Sequence, residues 1–403
     1  MKKILIFPFI LSLLFGIGCT DLNEEVYENV PADKYPENEA QLASLSVDAY
    51  TKLRDLIDDA GYWFLVQELT SDGLVAPTRG GDWDDGGKWR VLHQHTWGND
   101  VDGVNGMWEH LYDGVTRSNQ VLDRMKNFQQ TDDVKKTMAE VETMRTFYYY
   151  LLMDNYGDVP YMTSVEDAPE NPYKLNRAAV FDSLVTNIEN NIELLEESDK
   201  KYLANRYMAY TLLAKLYMNA EVYTGEPHWQ EASDALDEVL DGPYELEDNV
   251  RAPFMKENEN SSEIIFSIPF DEDDYEGFRI HMRSLHYLHD KTFDMATSPW
   301  NGFAATPMQF DLYEDNDLRK DGYLIYGPQE TSTGEPLIDE ENPNEDKQVV
   351  IDPDIPALKM TEDEHGYNAV KYSGARAGKY EIAPGTKMNL SNDFPIFRLT
   401  DVY

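Results

Sequence analysis

Ala209-Tyr-Thr-Leu-Leu-Ala-Lys-Leu-Tyr217, a break at Thr224-Gly225-Glu226-Pro227, then Trp229-Gln-Glu-Ala-Ser-Asp-Ala-Leu-Asp-Glu-Val-Leu240: within Arg206 to Tyr244 the sequence spells two helices and the turn between them. Small residues (Ala209, Ala214, Ala232, Ala235) let two antiparallel helices approach closely, and larger neighbours fill the gaps. Outward from this hairpin the same period recurs. Ala40 to Ile57 places Leu42, Leu45, Ala49, Leu53 and Leu56 on one face. Val104 to Phe128 does so with Met107, Leu111, Val115, Val121, Leu122 and Met125, and Ala178 to Leu195 with Leu184, Ile188, Ile192 and Leu195. Val134 to Tyr156 is long and aromatic on one face, and Gly157 and Pro160 stop it.

The hairpin is of degenerate tetratricopeptide type, so the expected fold is mostly α. It is a helical scaffold over 40–250, followed over 251–403 by an irregular region with few short strands. Ser261 to Ile268 reads as one such strand, and 327–354 as a long acidic loop. The length suits a scaffold plus a second region, because single cores stop growing beyond about 250–300 residues. With 41% hydrophobic and 12% aromatic residues, global disorder is excluded.

Lys and Arg number 34 against 76 Asp and Glu, a net charge of −42. Such a surface repels phosphate backbones, heparin-like polyanions and anionic headgroups. The single Cys excludes a disulfide framework and any multi-Cys metal site. That Cys follows Lys2, Lys3 and the apolar run Ile4 to Ile17, too short to span a bilayer but suited to a signal peptide over 1–18. The arrangement resembles a bacterial lipobox, which makes Cys19 the lipidation site and 19–39 an acidic tether on an anchored protein.

Enzyme signatures are missing: no nucleophile elbow, zincin motif, P-loop or dinucleotide fingerprint occurs. His281, His286 and His289 stand close together, but at most two share a helical face, so a core or surface role outweighs a metal site. Asp271 to Asp274 and Glu314 to Asp317 are calcium candidates that lack the EF-hand spacing and read first as solvated loop charge. The expectation is therefore no cofactor, with Ca2+ as the one candidate.

The unusual stretch is Thr70 to Asn99, which holds Trp83, Trp89 and Trp97, three of seven Trp, among Gly pairs and Asp residues. Gly-Gly and Asp-Gly force loops. A pyranose offers an apolar face to an indole and a rim of hydroxyls to polar side chains. This predicts a glycan site with Trp83 and Trp300 stacking, Tyr287 beside them, and Arg79, Asp82 and Asn99 taking hydroxyls. Trp97 is expected to plug the scaffold instead.

Ala139-Glu-Val-Glu-Thr-Met-Arg-Thr-Phe-Tyr-Tyr-Tyr-Leu-Leu-Met-Asp-Asn-Tyr-Gly-Asp-Val-Pro160 resembles the diagnostic block of the SusD/RagB family. Trp108 to Tyr112, Arg117 to Asn119, Asn176-Arg177, Glu263 to Phe266 and Asp393 to Tyr403 agree in family order. The resemblance implies a non-catalytic surface lipoprotein of Bacteroidetes. Such a protein binds oligosaccharide and sits as a lid on a SusC-like TonB-dependent transporter in the outer membrane. An acidic run after the lipidated Cys also resembles surface-export signals of such lipoproteins. The family continues beyond the Arg398-Leu-Thr-Asp-Val402 block, so the chain is expected to stop inside an amphipathic helix. Two other readings stay open on the residues alone: a lipid-anchored glycoside hydrolase with a carboxylate pair, and an adhesive helical-repeat protein with buried aromatics.

Overall fold

The computed structural model describes residues 39–57 and 62–403. Cys19, the signal segment and most of the tether lie outside them. No helix among the described residues is long and apolar enough to cross a membrane.

Helices dominate the first part, and their starts reflect local chemistry. Asp132–Tyr156 begins where the Thr131 hydroxyl accepts from the Val134 N–H at 3.3 Å. It ends at Gly157 (φ +76), whose N–H reaches the Met153 carbonyl. Asn176 caps Arg177–Asn191 and Asn205 caps Arg206–Met218 in the same way. The hairpin is present as Arg206–Met218 against Trp229–Leu240, with Ala209, Ala214, Ala232 and Ala235 all buried between them. Asp102–Met125 packs along Asp132–Tyr156. Their close approach needs Gly114, since a Cβ there would lie 2.5 Å from the Tyr148 ring.

The segment expected as one helix over 40–57 is broken. Glu39–Ser46 leads into a 3-10 turn, Val47–Tyr50, and then Leu53–Ile57. Ser46 Oγ donates to the Ala43 carbonyl and Thr51 Oγ1 to the Asp48 carbonyl, both at 2.8 Å. Short hydroxyl side chains competing for backbone acceptors interrupt the ladder. The predicted apolar face survives the break: Leu42, Leu45, Ala49, Leu53 and Leu56 are all buried.

The expected strand forms at Ile264–Ile268, fully buried and antiparallel to Phe394–Arg398. Phe397 and Phe266 both meet Phe147 of the long helix, at ring distances of 6.1 and 6.2 Å. One hydrophobic core therefore runs from the helices through this strand pair. The last residues differ from the expected helix. Phe394–Arg398 is a strand and Leu399–Asp401 a 3-10 turn, held by Glu263, which accepts from Arg398 and Thr400. A Phe-Pro-Ile-Phe sequence favours strand, and Pro395 has no N–H to give a helix.

Elsewhere the strands are two-residue bridges. Two of them position the Trp-rich loop. Leu74–Val75 pairs antiparallel with Ala304–Ala305, and Thr78–Arg79 pairs parallel with Lys359–Met360.

Candidate functional site

From these bridges the chain turns back on itself. Arg79 and Asp82 exchange backbone hydrogen bonds at 2.9 and 3.1 Å around Gly80-Gly81. Gly80 (φ +67) allows the reversal, and Trp83 leaves the turn at φ +59. Two aspartates hold this strained backbone in place. Asp84 accepts from Arg90 at 2.9 Å and lies 3.6 Å from Lys359, and the Arg90 hydrogen bond holds its carboxyl below the usual range. Asp85 accepts from the Trp89 indole at 2.6 Å, four residues on.

The opposite wall is Ile280–Ser284 and the segment 300–305. Trp300 N–H donates to the Met282 carbonyl at 2.7 Å, and Gly302 and Phe303 both donate to the Arg283 carbonyl. The walls lock through Trp83. Its indole N–H donates to the Trp300 carbonyl at 2.8 Å. Its ring lies so close over Gly302 that a Cβ there would overlap it. Phe303 and Trp89 complete the cluster at 5.3 and 5.9 Å from Trp83. The Arg283 guanidinium lies 5.6–5.9 Å from the rings of Trp83, Trp89, Trp300 and Phe303. On the outer side the Tyr287 hydroxyl donates a short bond to Asp82. Burial, and then that carboxylate, push the phenol above its usual range, so it stays a donor.

Four of the six expected residues, Asp82, Trp83, Tyr287 and Trp300, are thus gathered on one face. Trp83 is partly buried rather than held out freely, because its inner edge packs on the core while the rest borders solvent. Trp300 is also partly buried. Arg79 does not belong on the face. It is 1% exposed and bonds to the carbonyls of Gly302, Val370 and Ser373 and to the Ser373 hydroxyl. Burial pulls it down to about 10. It pins the loops beneath the rings and presents nothing outward. Asn99 is exposed, with no hydrogen bond or ring contact to the cluster among the described residues. Trp97, expected to be a plug, is instead 40% exposed and edge-on to His95.

The three histidines are buried, and burial holds His281 at about 4, His289 at about 3 and His286 well below the usual range. Backbone N–H groups of His286 and Leu288 donate to His289 and His286 Nδ1. No group of three metal-binding side chains is present among the described residues. Asp271 accepts from the N–H groups of Asp273 and Asp274, and Asp317 from Arg319, so both acidic clusters cap their own turns. A cavity of about 450 Å³ lined by Phe64, Phe254, Tyr323, Lys379 and Tyr380 lies apart from the ring face and shares none of the six residues. Sequence reading missed Arg283, Phe303 and Lys371, whose Nζ lies over the Tyr287 ring. Arg283 has no marker in its sequence neighbours; only the fold surrounds it with rings.

Residues 70–218 match the SusD-like family model described as starch-binding and associating with the outer membrane. SusD-like protein P2 of Formosa agariphila is 25% identical over 225 residues, 54% of this chain and 43% of that protein. Starch-binding protein SusD of Bacteroides thetaiotaomicron is 27% identical over 161 residues, 38% of this chain and 28% of that one. The matches span less than half the length of these relatives. Among solved structures, a SusD superfamily protein from Parabacteroides distasonis aligns with TM-score 0.69 and 16% identity, over 90% of this chain and 74% of that one. Surface glycan-binding protein A from Bacteroides thetaiotaomicron, in complex with laminarihexaose, aligns with TM-score 0.68 and 19% identity, over 90% and 76%. The sequence match across the loop and its supporting helices makes the chain similar to SusD-like proteins, and nine-tenths of it shares the fold of their solved structures.

Proposed function

We propose that the chain is a glycan-binding protein of the outer membrane, lipidated at Cys19 and facing the exterior. It captures oligosaccharide on the Trp83–Trp300 face and passes it to a SusC-like TonB-dependent transporter. The observation that carries the reading is the gathering, from residues more than two hundred positions apart, of two indoles, a phenol and a carboxylate on one open face. Indole surfaces lie against the C–H face of a sugar ring, and Asp82 and Tyr287 supply polar atoms at its edge. An open face suits a polymer, where an enclosed pocket suits a small molecule. The SusD-like neighbours support it, one solved with laminarihexaose and another described as laminarin binding.

Each ring contributes about 1 kcal/mol beyond area burial, so affinity lies in the micromolar to millimolar range. Weak binding suits a protein that must release its ligand. The reading assigns no catalytic residue. The test is a glycan array followed by calorimetry on any hit. Trp300→Ala and Trp83→Ala are each expected to weaken binding about tenfold. Unchanged affinity in both removes the site, and reducing sugar released from the bound glycan would replace binding by hydrolysis.

A further inference from the structure

We infer that the Trp83–Trp300 face takes short acidic saccharides, bearing uronate or sulfate groups, in preference to neutral ones; this rests on the glycan reading above and adds the charge class of the ligand. Across the chain carboxylates outnumber cations 76 to 34. Around the rings that balance reverses. Arg79 and Arg376 share the Ser373 carbonyl beneath the face, at 2.8 and 2.9 Å, and are 1% and 0% exposed. Every acceptor they use is neutral: backbone carbonyls, the Ser373 hydroxyl and the Asn301 amide. Arg376 Nε has no acceptor among the described residues. Both guanidiniums stay charged across the physiological range, so two buried positive charges stand there with no carboxylate bonded to them among the described residues.

Nearer the surface the pattern continues. Lys371 Nζ lies 5.5 Å from the Tyr287 ring centroid and Lys88 Nζ 4.6 Å from that of Trp89, and neither is bridged to a carboxylate among the described residues. Elsewhere lysines and arginines are commonly paired, as Lys52, Arg117, Lys126, Arg206 and Lys387 are. Of the carboxylates that touch the cluster, Asp84 is paired with two cations, while Asp82 and Asp85 keep their charge and accept from the neutral Tyr287 and Trp89. In a chain so rich in acids, cations left unpaired beside a ligand face are available to a ligand's negative group. A carboxylate or sulfate stacked beside Tyr287 supplies the charge the buried arginines lack, which a hydroxyl does not. Acids elsewhere on the surface do not cancel this attraction at contact range, because salt screens them beyond about 8 Å. They do repel a long polyanion as a whole, which is why the class is short saccharides.

The full chain is tested against galacturonate and chondroitin sulfate oligosaccharides of two to six sugars, each beside its methyl-esterified or desulfated form, and against a neutral glycan array. Binding to at least one acidic series is expected. Neutralising its acid groups should weaken binding about tenfold, as should raising NaCl from about 50 to 500 mM. Lys371→Gln and Lys88→Gln should each weaken it about threefold with Tm unchanged. The carboxylate and sulfate arms separate the two sources of charge. Binding confined to neutral glycans, or insensitive to salt, overturns the inference and leaves the glycan reading standing. Acidic binding that survives both Trp83→Ala and Trp300→Ala puts the anion elsewhere and overturns the assignment. Binding to nothing on either set removes the glycan reading, and this inference with it.

Discussion

Gly302 is the smallest part of the candidate site and the one with least freedom. Its missing Cβ is the space that the Trp83 ring fills. Gly302→Ala therefore forces the indole away and breaks its bond to the Trp300 carbonyl. We expect a loss of about 1–3 kcal/mol from overpacking and a red-shifted tryptophan emission. Unchanged emission and Tm would show that the close approach carries no weight. Arg79 illustrates the opposite case. In the sequence it stands beside Gly80-Gly81 in a polar loop, and a cation there reads as solvent-facing. Its acceptors come from residues near 300 and 370, and nothing local announces them. Trp83 and Trp300 are legible because aromatic rings among glycines, aspartates and asparagines have no helix face to join.

At the scale of the element, the helix Asp132–Tyr156 carries both the block that resembles SusD-like proteins and an unusual titration. Glu140 on this helix is pushed up to about 7, chiefly by burial. In the native state it holds its proton where an unfolded chain, at 4.5, has lost it. The stability it lends is complete below 4.5 and disappears as pH rises through 7. Glu140→Gln removes that dependence. The variant should match the parent near pH 4.5 and exceed it at pH 8 by about 1–3 kcal/mol, read from denaturant midpoints at both pH values. Equal gains at the two pH values would rule out the buried acid. Helices of this kind are legible throughout, because apolar spacing reports a buried face directly. What spacing cannot report is continuity. The face from Leu42 to Leu56 is buried as its spacing predicts, while Ser46 and Thr51 break the helix within it. The two-residue bridges that set the Trp-rich loop are illegible for a related reason: two residues carry no period.

At the scale of the molecule, the change from helices to loops near residue 250 is a change of backbone only. Phe147, Phe266 and Phe397 meet in one core. Phe147→Ala should cost about 3–5 kcal/mol. It should lower the helical melt and the near-ultraviolet signal of the Trp cluster together, in one transition. Two separated transitions would show that residues 251–403 hold together on their own.

The locking of Trp83 to Trp300, with Arg79 drawn under both by residues 370–373, also sets an order of events during synthesis. Every long helix of the scaffold has left the ribosome before the second indole is translated, and the clasp beneath comes later still. A nascent chain thus carries its ring face half-built, with one sticky ring waiting for its mate, through most of its time on the ribosome. Chaperones that shield bare indoles have their longest opportunity in that interval.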